Sequence, residues 1–239
     1  MSKINRPVLT QYADNFSIDI FKTDETLNIF SDASMRTISK KDHTLASCYG
    51  SVAVNKDTIV DEWFRCQSES TVPAAEIRGI RCSLTLALKW RYMFRTINIF
   101  SDSQIAVFGL RDYIYNWKYN KEAGRFYIGS KNSYVKNQEL LIECYYLLEE
   151  LRKTNIVNIF HQCGHVNNGF DNIKNAAEVF KKSNGVAGIV SYELIRYISV
   201  YNNYVDSKSR SFIRTINVFD NYYTDPVIFY TNGNLYLNN

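Results

Sequence analysis

Two copies of Ile-Phe-Ser-Asp, at residues 29–32 and 99–102, constrain the fold of this chain most strongly. Each copy closes a short run of β-branched and aromatic residues, which predicts a buried strand that ends in a polar turn. Between them, residues 74–94 carry apolar side chains at spacings of three and four, the pattern of an amphipathic helix. A strand, helix, strand order favours two parallel strands of one sheet with the helix packed on a face.

The segments around this unit predict the rest of the fold. Strands over 44–55 and 58–67 follow the first strand as an antiparallel meander joined by a tight polar turn. A long helix over 135–153 precedes a fifth strand over 155–163, and a last helix is expected around 173–183. We therefore expect an α/β fold with a five-stranded mixed sheet, in which the antiparallel first three strands are joined by parallel strands and flanked by helices.

The length of 239 residues suits one domain of ordinary size with an appendage. We divide the chain into an N-terminal segment (1–25), an α/β domain (26–184) and a C-terminal extension (185–239). The extension holds eight tyrosines with balanced charge, which favours a packed or partner-facing surface over an electrostatic arm. It is our candidate surface for a protein partner.

Cellular location is indicated by what the sequence lacks and by its cysteines. No apolar run reaches the roughly 18 residues that span a bilayer, and the N-terminus lacks a signal-peptide pattern. The five cysteines are scattered and odd in number, which indicates reduced thiols. We expect a cytoplasmic protein with no membrane partner. Its frequent Asn, Ile, Lys and Tyr are typical of an AT-rich genome, such as that of a phage or another virus.

Three carboxylates are placed where a metal site would need them. Asp32 and Asp102 each end a strand, and Glu76 lies in the helix between those strands. Ligands of α/β sheets gather at the carboxyl ends of parallel strands, and like charges gathered there repel one another. Mg²⁺ accepts such oxygen ligands, and two Mg²⁺ ions clamp the attacking and leaving oxygens of a phosphodiester. Alternatively, each Asp merely ends its strand or caps a helix; the repeat and Glu76 together favour the metal site.

A basic and aromatic segment lies between residues 118 and 136. Its single acidic residue, Glu122, is outnumbered by five basic residues, and aromatic residues are interleaved with them. Cations for phosphates and rings for bases suit a nucleic-acid groove, while a solvated surface is the alternative. The net charge of +4 permits an anionic partner without demanding one.

Six segments of the chain, in order, are similar to those of one family. They are IFSDAS, AAEIRGI, FSDSQIAVFGL, YIYNWKYN, VKNQELLIECYYLLEEL and CGHVNNGFDNIKN. Over residues 26–184 the chain resembles ribonuclease H of type 1. The resemblance implies an endoribonuclease that hydrolyses the RNA strand of RNA–DNA hybrids with two Mg²⁺ ions, for which Mn²⁺ can substitute.

The resemblance also implies roles for individual residues. Asp32, Glu76 and Asp102 correspond to metal ligands of the catalytic centre, and His165 corresponds to a loop histidine linked to proton movement and product departure. The fourth ligand position falls at Asn175, ten residues after His165. Because an amide oxygen is neutral, we expect Asn175 to bind metal more weakly than a carboxylate and to reduce hydrolysis.

Substrate contacts are implied in two regions. The residues expected against the hybrid near the catalytic centre are Ala33, Ser34, Thr71 and Gln104. The residues expected to grip the DNA strand, in the family's basic protrusion, are Trp117, Lys118, Lys121 and Lys136. Contacts to the 2′-hydroxyl would distinguish RNA from DNA.

Two other functions are consistent with the same residues. One is a catalytically weak or inactive module that binds nucleic acid or serves as a part of a larger assembly, which Asn175 favours. The other is a nuclease or recombinase of the same fold that acts on DNA.

Overall fold

The computed structural model describes most of the chain. The described residues are 15–39, 44–69, 71–128, 133–167, 169–215, 228–231 and 234–237. Residues 1–14 of the predicted N-terminal segment and 216–227 of the predicted extension lie outside them.

A five-stranded mixed sheet forms the centre of the molecule. Its strands are β2 (Thr26–Ser39), β3 (Thr44–Asn55), β4 (Thr58–Glu69), β5 (Thr96–Ser101) and β9 (Ile156–His161). They lie in the order β4-β3-β2-β5-β9, with β2, β3 and β4 antiparallel and β2, β5 and β9 parallel. The predicted fold class and mixed sheet are therefore confirmed.

Five α-helices in the described part of the chain cover both faces of this sheet. They are α1 (Val72–Trp90), α2 (Gln104–Phe108), α3 (Gln138–Arg152), α4 (Phe170–Asn184) and α5 (Tyr192–Thr215). Helices α1, α2 and α3 share one apolar core with the sheet, and α4 and α5 share a second core on the opposite side. The sheet is thus the middle of three layers.

The chain contains three copies of Asn-Ile-Phe, at 28–30, 98–100 and 158–160. They lie side by side in the parallel strands β2, β5 and β9, so that each residue type pairs with its own kind. Side chains alternate between the faces of a strand. The isoleucines therefore face α1 and α3, and the phenylalanines face α4 and α5.

The phenylalanine and asparagine ladders fix the register of these strands. The ring of Phe100 stacks between Phe30 and Phe160, with centroid distances of 4.9 and 5.2 Å. Asn98 Nδ2 donates to Asn28 Oδ1 (3.0 Å) and Asn158 Nδ2 donates to Asn98 Oδ1 (2.8 Å). A register slip would break both ladders at once.

We predict that Asn98→Ala destabilises the protein by about 2–3 kcal/mol, because it leaves two partly or fully buried amide groups without their partners. Urea unfolding followed by circular dichroism measures this loss. Asn116→Ala is the control, since the Asn116 amide makes only an exposed contact to Asp112 O (3.4 Å). Equal stability of Asn98→Ala and the parent protein would show that the ladder contributes nothing.

Two helical segments differ in detail from the prediction. Helix α1 begins at Val72, because the Thr71 hydroxyl accepts a hydrogen bond from Ala74 N (3.3 Å) and caps the helix. After β5 the helix is short, and a π-helical turn (Gly109–Tyr113) and a 3-10 turn (Ile114–Asn116) continue it. At Gly109 a Cβ would lie 3.0 Å from Leu141 Cδ2, so this segment lies close against α3.

Helix α5 lies on the sheet face that carries the phenylalanines. Tyr197 OH accepts a hydrogen bond from Asn28 Nδ2 (3.1 Å), and the ring of Tyr201 stacks on Phe30 at 5.2 Å. Tyr204 OH donates to Glu62 Oε2 (2.7 Å). These contacts fix α5 to β2 and β4. The tyrosines that make them lie in the segment predicted to face a partner, but they contact residues of the same chain.

Small sheets complete the described structure. Strand β1 (Asn15–Phe16) pairs in parallel with β10 (Ile189–Val190), which ties the start of the described chain to the segment before α5. A hairpin sheet contains β6 (Lys118–Asn120), β7 (Arg125–Ile128) and β8 (Ser133–Tyr134), and a two-stranded sheet contains β11 (Ile228–Thr231) and β12 (Asn234–Leu237). In the described part of the chain, no helix is both long and apolar enough to cross a membrane.

Candidate active site

The three predicted carboxylates line one pocket. Asp32, Glu76 and Asp102 share a cavity of about 580 Å³ just beyond the carboxyl end of β5. Asp32 does not end its strand as predicted, because β2 continues to Ser39 through its pairing with β3. The pairing of β2 with β5 ends at Ser31 and Ser101, and the next residue of each chain segment is the aspartate. The repeated tetrapeptide therefore places Asp32 and Asp102 at the same edge of the sheet.

Ser103, the residue after Asp102, holds the helix-borne carboxylate of Glu76. Its hydroxyl donates to Glu76 Oε2 (2.6 Å) and accepts a hydrogen bond from Ala106 N (3.3 Å), which caps α2. Ser103 N in turn donates to Ser101 Oγ (3.2 Å). The turn after β5 thus holds Glu76 in position as well as starting the next helix.

The carboxylates oppose one another's ionisation. Burial, followed by the charge of Asp102, raises the pKa of Asp32 to about 8, although the Ala33 N–H bonded to its Oδ1 (2.6 Å) acts in the other direction. Burial, followed by the charge of Glu76, also raises the pKa of Asp102. A buried group of like charges is the environment in which a bound cation is most stabilising.

The donor set fits a hard divalent cation. Carboxylate oxygens are the ligands that Mg²⁺ prefers, and Mg²⁺ keeps several waters while it binds one or two carboxylates. Within the described residues, no three His, Cys, Asp or Glu side chains lie close enough together to hold one ion directly. Binding would therefore proceed through retained waters or would draw the carboxylates closer together.

The loop after β9 brings His165 and Gly164 to the pocket. His165 lines the pocket with a mostly exposed side chain and has left-handed backbone geometry (φ 53°). A Cβ on Gly164 would lie 2.3 Å from Asp102 Oδ2, so the loop approaches the aspartate closely only because residue 164 is glycine.

The structure does not bring Asn175 to this pocket. The buried face of α4 is formed by Ile173, Ala176, Ala177 and Phe180, whereas Asn175 is exposed. At 100° per residue, Asn175 lies about 200° from Ile173, on the far side of the helix. The spacing from His165 predicts where Asn175 lies along the chain, but it does not predict which side of α4 faces the sheet.

Several pocket residues were missed by sequence reasoning. Helix α5 contributes Asp206, Arg210, Ile213 and Arg214, and β2 contributes Met35 and Arg36. The negative charge of Asp206 adds to the upward shifts in the pKa of both Asp32 and Asp102. The signal for α5 was an apolar periodicity at Leu194, Ile198 and Val205, all of which are buried.

The predicted contacts near the catalytic centre fall in two places. Ala33 and Ser34 line the pocket beside Asp32. Thr71 is exposed and caps α1, and Gln104 is exposed as the first residue of α2.

The predicted protrusion corresponds to the hairpin sheet of β6, β7 and β8, which follows the helical segment after β5. Lys118, Lys121 and Lys136 are exposed on it and in its flanking segments. Trp117 is half-buried against the first core and packs on Phe126, with ring centroids 5.8 Å apart. Its indole therefore anchors the hairpin, and the more exposed rings of this region are those of Tyr119 and Tyr134.

Comparison with known families decides the identity of this fold. The RNase H family model matches residues 24–189, which include the three predicted carboxylates and His165. The chain belongs to the ribonuclease H family. Members of this family are hydrolases of RNA–DNA hybrids and generally use divalent metal ions.

Solved ribonuclease H structures are similar to this chain at low identity. A prototype foamy virus protease-reverse transcriptase has 16% identity and a TM-score of 0.48, over 80% of this chain and 23% of that protein. Ribonuclease H1 of Halobacterium salinarum has 17% identity and a TM-score of 0.39, over 65% of this chain and 93% of that protein. This chain thus spans less than a quarter of the foamy virus protein. No curated protein sequence matches the chain.

Proposed function

We propose that this protein hydrolyses the RNA strand of RNA–DNA hybrids at the pocket lined by Asp32, Glu76 and Asp102. The observation that carries the proposal is that these three carboxylates line one pocket, in a chain of the ribonuclease H family. A foamy virus relative of the same fold has been solved with an RNA/DNA hybrid, which agrees with this substrate class.

The residues of the pocket have separable tasks. Asp32, Glu76 and Asp102 would hold two Mg²⁺ ions, or Mn²⁺ in their place. Bound there, divalent ions lower the pKa of water and stabilise charge on phosphate oxygens. The exposed imidazole of His165 would carry a proton between the pocket edge and solvent, and the backbone at Ala33 and Ser34 would face the RNA strand.

The test uses the full chain and labelled nucleic acids. We expect RNA-strand cleavage of a hybrid in Mg²⁺ or Mn²⁺, loss of cleavage in EDTA, and no cleavage of double-stranded RNA or DNA of the same sequence. Binding of the hybrid without cleavage under either metal would contradict the proposal and favour a non-catalytic module. Preferential cleavage of double-stranded DNA would contradict the substrate class.

We predict that replacing Lys118, Lys121 and Lys136 together by Gln weakens hybrid binding and its dependence on salt. Each lost phosphate contact reduces the slope of log K against log salt by about 0.7–0.9, so the slope should fall by about 2–3. Fluorescence anisotropy in EDTA measures binding without cleavage.

The control for this triple variant is the replacement of Lys56, Lys174 and Lys182, three exposed lysines outside the hairpin, by Gln. It removes the same charge, so any difference between the two variants reports position. Identical salt slopes for both would mean that the hairpin lysines form only a solvated surface.

A further inference from the structure

The pocket has a fourth acidic side chain, and it comes from α5. Asp206 lines the same cavity as Asp32, Glu76 and Asp102. Its side chain is only 14% exposed. It lies 31 positions after Asn175 in the sequence and beyond the region 24–189 that matches the family model.

Two basic side chains lie against the Asp206 carboxylate, at different distances. Arg210 Nε donates to Oδ1 (2.7 Å) from the next turn of α5, and His165 Nδ1 lies 3.5 Å from Oδ2. The contact with His165 is longer than an ordinary hydrogen bond, and the histidine is mostly exposed. Asp206 is therefore held mainly by its own helix.

The position of Asp206 is fixed because α5 is anchored on both sides of it. Val205 and Ser209 are fully buried, and Asn203 Nδ2 donates to Val166 O (3.2 Å) in the histidine loop. Lys208 reaches Glu62 of β4 (3.7 Å). A carboxylate on so constrained a helix keeps its place in the lining of the pocket.

We propose that Asp206 supplies the fourth carboxylate of the metal-binding pocket, in the role that the family resemblance implied for Asn175. The inference rests on the proposed function, since it concerns the same divalent ions. It means that the acidic set is complete in this chain, with its fourth member carried by a different helix from the one the family pattern indicates. The neutral amide of Asn175 is then no reason to expect weakened hydrolysis.

Metal affinity tests this role without relying on activity. We expect isothermal titration of the full chain with Mn²⁺ to show binding that is about 10- to 100-fold weaker in Asp206→Asn. Hybrid cleavage by this variant should recover in part as the Mn²⁺ concentration is raised. Glu193→Gln is the matched control, because it removes one exposed acid from the first turn of the same helix.

Two further variants separate Asp206 from its neighbours. Asn175→Asp in the Asp206→Asn background should give no gain in Mn²⁺ affinity, because Asn175 is not among the residues that line the pocket. His165→Ala should keep the Mn²⁺ affinity of the parent protein, whereas it would match Asp206→Asn if Asp206 acted only through the histidine. The proposal is overturned if Asp206→Asn binds Mn²⁺ like the parent, or if Asn175→Asp restores its affinity.

Failure of the proposed function would look different. In that case the parent protein itself would neither bind Mn²⁺ nor cleave the hybrid, and the role of Asp206 would fall with it. A parent protein that binds and cleaves, beside an Asp206→Asn variant with unchanged affinity, overturns the role of Asp206 alone. Circular dichroism melting of each variant checks that α5 remains folded.

Discussion

Asp102→Asn should reduce hybrid cleavage by about 10³-fold or more while the protein stays folded. The substitution keeps the shape of the side chain and removes one charge from the pocket. Charge stabilisation at a metal centre contributes several kcal/mol to catalysis, and each 1.36 kcal/mol corresponds to tenfold in rate. Single-turnover cleavage of a labelled hybrid at saturating Mg²⁺ measures the loss.

Folding of this variant can be checked independently. The Asp102 backbone carbonyl, which lies 3.2 Å from His161 Nε2, is retained in asparagine. The change also removes a like charge from beside Asp32, so the pKa of Asp32 should fall toward its ordinary range. We therefore expect an equal or higher melting temperature without metal. Cleavage within tenfold of the parent protein would remove Asp102 from the catalytic centre.

Gly164→Ala should reduce cleavage by about 10²-fold although it removes no functional group. The new methyl group would lie 2.3 Å from Asp102 Oδ2 and 3.2 Å from its Cγ, so the carboxylate must rotate away. Misplacement of a reacting group by about 1 Å is enough for a loss of this size. The same single-turnover assay, with Mn²⁺ titration beside it, measures the effect.

The control for Gly164→Ala is Gly169→Ala in the same loop. A Cβ there would meet Asn167 Oδ1 at 3.1 Å and Asn172 Nδ2 at 3.4 Å, and both of these side chains are exposed and able to move. Full activity of Gly164→Ala would show that the position of the Asp102 carboxylate is not critical.

The sheet and its carboxylates could be predicted because local patterns determine them. The tetrapeptide Ile-Phe-Ser-Asp, repeated before and after an amphipathic helix, favours two parallel neighbouring strands with each aspartate just beyond the last paired residue. Glu76 follows from its place on that helix. The third copy of Asn-Ile-Phe, at 158–160, carried the same information about β9.

The fourth acid could not be predicted from local pattern. The position of Asn175 along the chain follows from counting, but its direction depends on which side of α4 is buried, and Ile173 and Ala177 decide that. Asp206 reaches the pocket because Tyr197 and Tyr201 pack α5 against the sheet face that carries the phenylalanines. No short sequence motif encodes this tertiary contact.

Helix α5 packs on the sheet but lies outside residues 24–189, the region that matches the family model. The folded domain is therefore longer than the matched region. A fragment that ended at residue 189, where the family match ends, would bare the ring of Phe30 and leave Asn28 Nδ2 without the Tyr197 hydroxyl. Helix α5 is therefore part of the packed domain, in the outer layer that covers the phenylalanines of the sheet. Any minimal fragment, swap or fusion of this protein needs to carry residues through Thr215 as part of the same body.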